Sequence, residues 1–198
     1  MSILFSVISA YFPYAAVTAF TPGPNNILAL HAISQFGWRK GLSSVLGILT
    51  GFFCVMLICA GSCWGLAQQL PAITIWLKYI GAAYIFWLAW HIASSKPAAE
   101  QNSEESGGGF WQAFGLQFLN VKIIMYGITI FTAYVLPSSS ASPFVLANCI
   151  FLTLIGAAGF LTWGWAGSVF ASFINQHFRP FNLAMAAVLA LCGLGLLV

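Results

Sequence analysis

Aspartate is missing altogether from the 198 residues, and the three glutamates, Glu100, Glu104 and Glu105, share one short stretch. With six basic residues beside them, charged residues make up 5% of the chain against 61% hydrophobic. A soluble domain carries roughly 25% charged residues, so this scarcity excludes a water-solvated globule and makes a bilayer the solvent. No Cys-x-x-Cys pair occurs among Cys54, Cys59, Cys63, Cys149 and Cys192, which argues against a redox or structural disulfide set; they read as small buried apolar residues. No Walker A sequence is present, so the chain itself holds no ATP engine. No cofactor, metal or nucleic acid is expected. The start, Met1-Ser2-Ile3-Leu4-Phe5, has no basic region and leads into a polar break, against a cleavable signal.

What is present is a series of uncharged runs between Arg39, Lys40, Lys78, Lys96, the glutamates, Lys122 and Arg179, each long enough for the roughly 20 residues a span needs. They predict spans at about 5–36, 42–66, 71–94, 111–134, 144–171 and 179–198, hence an all-α membrane protein with six transmembrane helices. Six spans leave almost nothing outside the bilayer, which excludes a soluble catalytic domain in this chain; an enzyme is not expected. Arg39, Lys40, Lys96 and Arg179 fall on connections of one side, so that side is predicted cytoplasmic, with both termini periplasmic. The stretch Ser95 to Gly109, with Lys-Pro and Ser106-Gly107-Gly108-Gly109, reads as a flexible aqueous linker. It divides a single transporter-like domain, 1–198, into halves 1–94 and 110–198 of three helices each. Three is odd, so two halves sharing a fold form inverted repeats.

Thr21-Pro22-Gly23-Pro24-Asn25-Asn26 interrupts the first span. The prolines remove two donors and Gly23 tolerates positive φ, so the helix is expected to unwind and leave carbonyls unpaired upstream. Downstream, Pro24 suits the first turn of a new half-helix, whose N–H groups and positive dipole end favour a carboxylate. Asn25 lies 12 residues from Gly37 and Lys122 lies 12 from Phe110, each about 18 Å into the bilayer at about 1.5 Å per residue. Gln117 and Asn120 accompany Lys122 in span 4, which is also predicted to be interrupted. A lysine at that depth costs about 2.5 to 3.5 kcal/mol by insertion scales. Either a substrate carboxylate offsets this, or unpaired carbonyls and Asn side chains do so permanently. Acceptors for an ammonium beside donors for a carboxylate suit a small zwitterionic amino acid.

The remaining polar groups carry less. His31 is a candidate proton carrier, or else a hydrogen-bonded packing residue; His91 and His177 read as interfacial. Gly47/Gly51 and Gly61/Gly65 match G-x-x-x-G, and Gly156, Gly159, Gly164 and Gly167 stud span 5. These allow close helix approach within one bundle or between subunits of a homo-oligomer. Trp76, Trp87, Trp90 and Trp111 read as interface anchors. An intramembrane thiol or quinone oxidoreductase would need cysteine pairs reaching water, and a passive channel would not need a buried lysine.

The sextet, Gly37-Trp38-Arg39-Lys40-Gly41, Gly81-Ala82-Ala83-Tyr84-Ile85-Phe86-Trp87-Leu88 and Gln117-Phe118-Leu119-Asn120-Val121-Lys122 together resemble the LysE/RhtB superfamily of bacterial amino-acid exporters. Many of its members carry Pro-Gly-Pro-Asp and Asn-Pro-Lys at the two breaks. The variant here, with Asn25 and Asn120-Val121-Lys122, looks like the cysteine and O-acetylserine exporter branch. The resemblance implies efflux of small neutral amino acids across the inner membrane, driven by the proton motive force as a secondary antiporter. No predicted span holds an acidic residue, so the usual carboxylate proton carrier is absent. His31, Lys122 changing protonation, or facilitated diffusion remain. A substrate site is expected at Pro22, Gly23, Pro24, Asn25, Asn26, Gln117, Asn120 and Lys122, and a dibasic substrate is disfavoured by repulsion from Lys122.

Overall fold

The computed structural model describes residues 2–65, 70–94 and 109–197. The linker residues 95–108, with Lys96 and the three glutamates, and the side chains of Trp76, Lys78 and Cys192 lie outside the described residues.

Among those described, every regular element is helical. Helix α1 (Ser2–Phe20) is followed by α2 (Pro24–Gly65), α3 (Leu70–Ala93) and α4 (Phe110–Leu116). A single 3-10 turn, Gln117–Leu119, leads through Asn120 to α5 (Val121–Ile130). A π-helical stretch, Phe131–Val135, continues into α6 (Leu136–Ser138). The chain ends with α7 (Ser142–Val169), α8 (Ala171–Gln176) and α9 (Phe178–Leu197).

Both anticipated interruptions are present. The helix stops at Phe20 and restarts at Pro24, where Pro22 and Pro24, on either side of Gly23, leave no continuous ladder of donors. It stops again at Asn120, whose backbone is extended (φ −82°, ψ 90°). The expected connection over 37–41 is different in kind. It is no loop but one residue, Gly37, with φ 71° and ψ 172°, in a region open essentially to glycine alone. The two arms of α2 fold back tightly enough that a Cβ on Gly41 would lie 2.8 Å from the Ala32 carbonyl oxygen. The reversal therefore needs glycine at both places.

Four segments are long and apolar enough to cross a membrane among the described residues: Ile3–Phe20, Pro24–Cys63, Val121–Ser138 and Ser142–Val169. The expected spans 1 and 2 share Pro24–Cys63 because Gly37 bends one helical run instead of ending it.

Polarity runs from the inside out. Phe5, Val17, Leu46, Ile58, Leu154, Trp165 and Leu191 lie on the perimeter, while Asn25, Asn26, Gln117, Asn120 and Asn148 are buried. A lipid-facing surface loses nothing by being apolar, whereas buried amides need partners. Accordingly Tyr11 donates to Asn148 Oδ1 at 2.8 Å, pinning α1 to α7.

The main core joins α1, α2, α5 and α7 around Ile33, Ile48, Met56, Ile130 and Leu152. A smaller one joins the start of α2 to α3 and α9 through Ile27, Ile85, Ile92 and Leu189. Small residues allow the close packing: a Cβ on Gly47 or Gly51 would strike the Phe110 or Phe114 carbonyl of α4, and one on Gly159 or Gly167 the Ala19 or Leu30 carbonyl. These glycines serve contacts within the bundle, whereas Gly61 faces open space. Cys59, Cys63 and Cys149 are buried free thiols, and Cys54 is half-buried.

Candidate functional site at the two helix breaks

Helix α1 ends without the usual exposure of its last carbonyls. Val17 accepts from the Thr21 N–H at 2.9 Å, the ordinary terminal bond, but the other three are taken by side chains from elsewhere. Lys122 Nζ donates to Thr18 O, Asn26 Nδ2 to Ala19 O and Trp163 Nε1 to Phe20 O, at 3.3, 2.9 and 3.1 Å. Beyond the helix, Thr21 O accepts from Asn26 Nδ2 at 2.8 Å and Lys122 Nζ at 3.3 Å. Buried carbonyls left unpaired at a helix end would be costly, and here α2, α5 and α7 each supply a donor. The carbonyls expected upstream of the Pro-Gly-Pro segment are therefore present, and they hold the lysine.

The second break is tied to the first by amides. Asn25 Nδ2 donates to Gln117 Oε1 at 2.7 Å, Asn120 Nδ2 donates to Asn25 Oδ1 at 3.0 Å, and Gln117 Nε2 returns to Ala113 O at 3.0 Å. Asn25, Gln117 and Asn120 are all buried. Two half-helices, α2 from Pro24 and α5 from Val121, thus begin at the same place, and their first N–H groups have no partner within the helix. Lys122 sits so close to Gly23 that a Cβ there would lie 3.0 Å from Nζ.

Between the breaks lies a pocket of about 30 Å³. Thr18, Asn25, Asn26, Asn120 and Lys122 form its polar side. Phe52, Ile123, Tyr126 and Phe160 form its apolar side, with Ala19, Gly23 and Gly156 between. The aromatics support one another, with Phe52 ring centroids 6.2 Å from Tyr126 and 5.9 Å from Phe160. A water needs on the order of 10–15 Å³ of such space, so this arrangement accommodates about two waters and not an amino acid. Asn26 Oδ1 and Asn120 Oδ1 are buried and without a hydrogen-bond partner.

Of the residues expected from the sequence, Gly23, Asn25, Asn26, Asn120 and Lys122 come together at the pocket. Pro24 is buried at the start of α2. Gln117 stands behind the pocket as the partner of Asn25, and Pro22 is exposed and does not line it. His31, on the first arm of α2, is also outside the lining, with Nε2 buried and making no hydrogen bond. His91 stacks on Trp87 with ring centroids 5.4 Å apart, and His177 lies tilted against Phe173 at 4.6 Å.

Sequence reasoning missed Thr18, Phe52, Tyr126, Phe160 and Trp163. Tyr126 had one available signal, its i+4 spacing from Lys122 on the same helix face; the others resemble any apolar or interfacial residue.

Broken helices crossing around a lysine inside an apolar shell define a multi-pass membrane protein built for handling a polar solute. Residues 16–198 match the family model described as LysE type translocator. The chain belongs to that family of transport proteins. It is 46% identical over 187 residues to a cysteine/O-acetylserine efflux protein of Salmonella typhimurium, covering 94% of this chain and 95% of the relative. A protein of the same name from Klebsiella pneumoniae is 44% identical over 193 residues, 98% of each chain. The one from Escherichia coli K12 is 42% identical over 188 residues, 95% and 96% of the two chains. The branch indicated by Asn25 and Asn120-Val121-Lys122 is thus the one whose members these relatives are named for. No solved structure matches the chain.

Proposed function

We propose that the protein is a secondary transporter that exports small neutral amino acids, cysteine and O-acetylserine foremost, across the bacterial inner membrane, coupled to the proton motive force. The observation that carries this reading is the position of Lys122: its ammonium lies against Gly23, beside the starts of two half-helices and the carbonyl end of a third helix. Cationic and N–H groups suit a carboxylate, and the carbonyls suit an amine. In this reading Lys122 and the N–H groups of the first turn of α2 hold the substrate carboxylate. Asn26 and Asn120 face its amine or side chain, and Gln117 keeps Asn25 in place. A second positive charge on the substrate would be repelled by Lys122. The names of the relatives favour cysteine and O-acetylserine; a homoserine-, threonine- or leucine-type substrate is the runner-up.

The same reading takes the chain as six crossings in two inverted halves. In its support, the first broken helix packs on α7 and the second on α2, which exchange places under such a repeat, while α3 packs on α9, its own counterpart. Gln35 donates to Asn175 Oδ1 at 3.5 Å, consistent with the Gly37 turn and the start of α9 sharing one end of the bundle. Exposed Arg39, Lys40 and Arg179 then gather at the proposed cytoplasmic face. The pocket, too small for substrate, suits a collapsed, substrate-free stage of alternating access.

The test is counterflow of labelled O-acetylserine and cysteine in proteoliposomes, with and without a pH gradient, for the wild type, Lys122→Ala and Asn25→Ala. Saturable exchange by the wild type and a loss of at least about 100-fold in Lys122→Ala are expected, from two charge-assisted bonds of about 1.5–3 kcal/mol each. Normal exchange by correctly inserted Lys122→Ala would sink the site.

A further inference from the structure

We infer that the carbonyls of Thr18 and Thr21, with Asn26 Oδ1 and Asn120 Oδ1, form a subsite for a primary ammonium, and that Lys122 occupies it until a substrate's own ammonium takes its place. This rests on the reading that an amino acid enters the pocket, and it assigns the other end of that amino acid.

Five observations lead to it. The C-terminal end of a helix carries partial negative charge, and α1 ends at this pocket. Two of its last three carbonyls are engaged by neutral donors of adjoining helices, Asn26 and Trp163, at 2.9 and 3.1 Å. Thr18 O instead meets the Lys122 ammonium, and Thr21 O accepts from both Lys122 and Asn26. The contacts to Thr18 O and Thr21 O are 3.3 Å, longer than the about 2.7–2.9 Å of a well-formed charge-assisted bond, so these two carbonyls keep capacity for a closer ammonium.

The acceptor supply is also larger than one ammonium uses. Asn26 Oδ1 and Asn120 Oδ1 are buried, lack partners and belong to pocket-lining side chains 3% and 2% exposed. Together with Thr18 O and Thr21 O they make four acceptors, and an ammonium has three N–H groups. Finally, Lys122 itself lines the pocket and bonds the Thr18 and Thr21 carbonyls, so its withdrawal would add room beside them for a substrate. The two ammonium groups therefore compete for the same carbonyls. The displaced Lys122 then lies next to the incoming carboxylate, so the zwitterion's two ends are read by one exchange. A Cβ at Gly23 would lie 3.0 Å from Lys122 Nζ and press the lysine tip away from its present place.

The experiment measures thermal unfolding of the full-length protein in detergent for the wild type, Lys122→Ala and Lys122→Met. Each is titrated with ethylammonium chloride or, at equal ionic strength, with tetramethylammonium chloride, which has no N–H. Ethylammonium is expected to raise the melting temperature of both variants saturably, tetramethylammonium to leave it unchanged, and the wild type to respond to neither. Equal effects of the two cations, or a wild-type shift as large as the variants', would overturn the subsite. A second measurement needs no variant: unlabelled S-methylcysteine is expected to compete with labelled cysteine in wild-type counterflow at least about 100-fold better than N-acetyl-S-methylcysteine. Equal competition would overturn the subsite as well. Ethylammonium rescue without any amino-acid exchange would leave the subsite standing and sink the transport reading instead.

Discussion

The join between the two helix breaks is open to direct measurement. Asn25 connects them through its amide, beside the Lys122 contacts, donating to Gln117 Oε1 at 2.7 Å and accepting from Asn120 Nδ2 at 3.0 Å. Side-chain hydrogen bonds between membrane helices average about 0.6 kcal/mol and reach about 1.7. Asn25→Ala therefore removes two of them, a loss of about 1–3 kcal/mol, and leaves Gln117 Oε1 and Asn120 Nδ2 buried without their partners. Gln117→Ala removes the first bond together with the internal one to Ala113 O. A double-mutant cycle isolates the Asn25–Gln117 term, expected at about 0.6–1.7 kcal/mol. Unfolding free energies in mixed micelles measure it, with Leu154→Ala on the perimeter as a control expected within about 0.5 kcal/mol of wild type. Additivity of the two substitutions within about 0.3 kcal/mol would show that the breaks are held together by something other than this amide pair.

Three other predictions follow from separate features. Gly37→Ala forces a Cβ into a glycine-only backbone region and is expected to lower stability by about 1–3 kcal/mol; an unchanged melting curve would mean that the α2 reversal is made elsewhere. Gly159→Ala places a Cβ on the Ala19 carbonyl and Gly61→Ala places one in open space, so the first should melt earlier by about 1–3 kcal/mol and the second unchanged or up to about 1 kcal/mol later. Phe160→Ala opens the apolar side of the pocket, and a counterflow panel should show leucine-sized substrates gaining on cysteine; an unchanged preference would place side-chain selection away from Phe160.

The helical class, the two breaks and the pairing of Asn25 with the Lys122 region were legible because each leaves a local mark: an uncharged run, two prolines around a glycine, a lysine where lipid should be. The turn at Gly37 was read at the right place and as the wrong object, since a basic Trp-Arg-Lys stretch looks like a loop. One positive-φ residue can reverse a helix with no loop at all. Trp163 and Phe160 left no mark, because their role depends on which face of α7 meets the end of α1, and apolar residues on every face of a membrane helix conceal that face. His31 shows the converse: its residue type suggested chemistry, and the packing put it outside the pocket lining.

Neutrality at position 25 connects these points. An asparagine donates with one end of its amide and accepts with the other, and here it does both, to Gln117 and from Asn120. A carboxylate could only accept, so it would keep the Gln117 contact only if that amide turned over and gave up Ala113 O, and it would bring a negative charge close to Lys122. With no acidic residue anywhere in 2–94 or 109–197, the lysine's charge is met there by peptide carbonyls. Carbonyl dipoles stabilise the ammonium without cancelling its charge. The site therefore keeps a net positive charge for an incoming carboxylate while offering that ligand's amine the acceptors the lysine gives up.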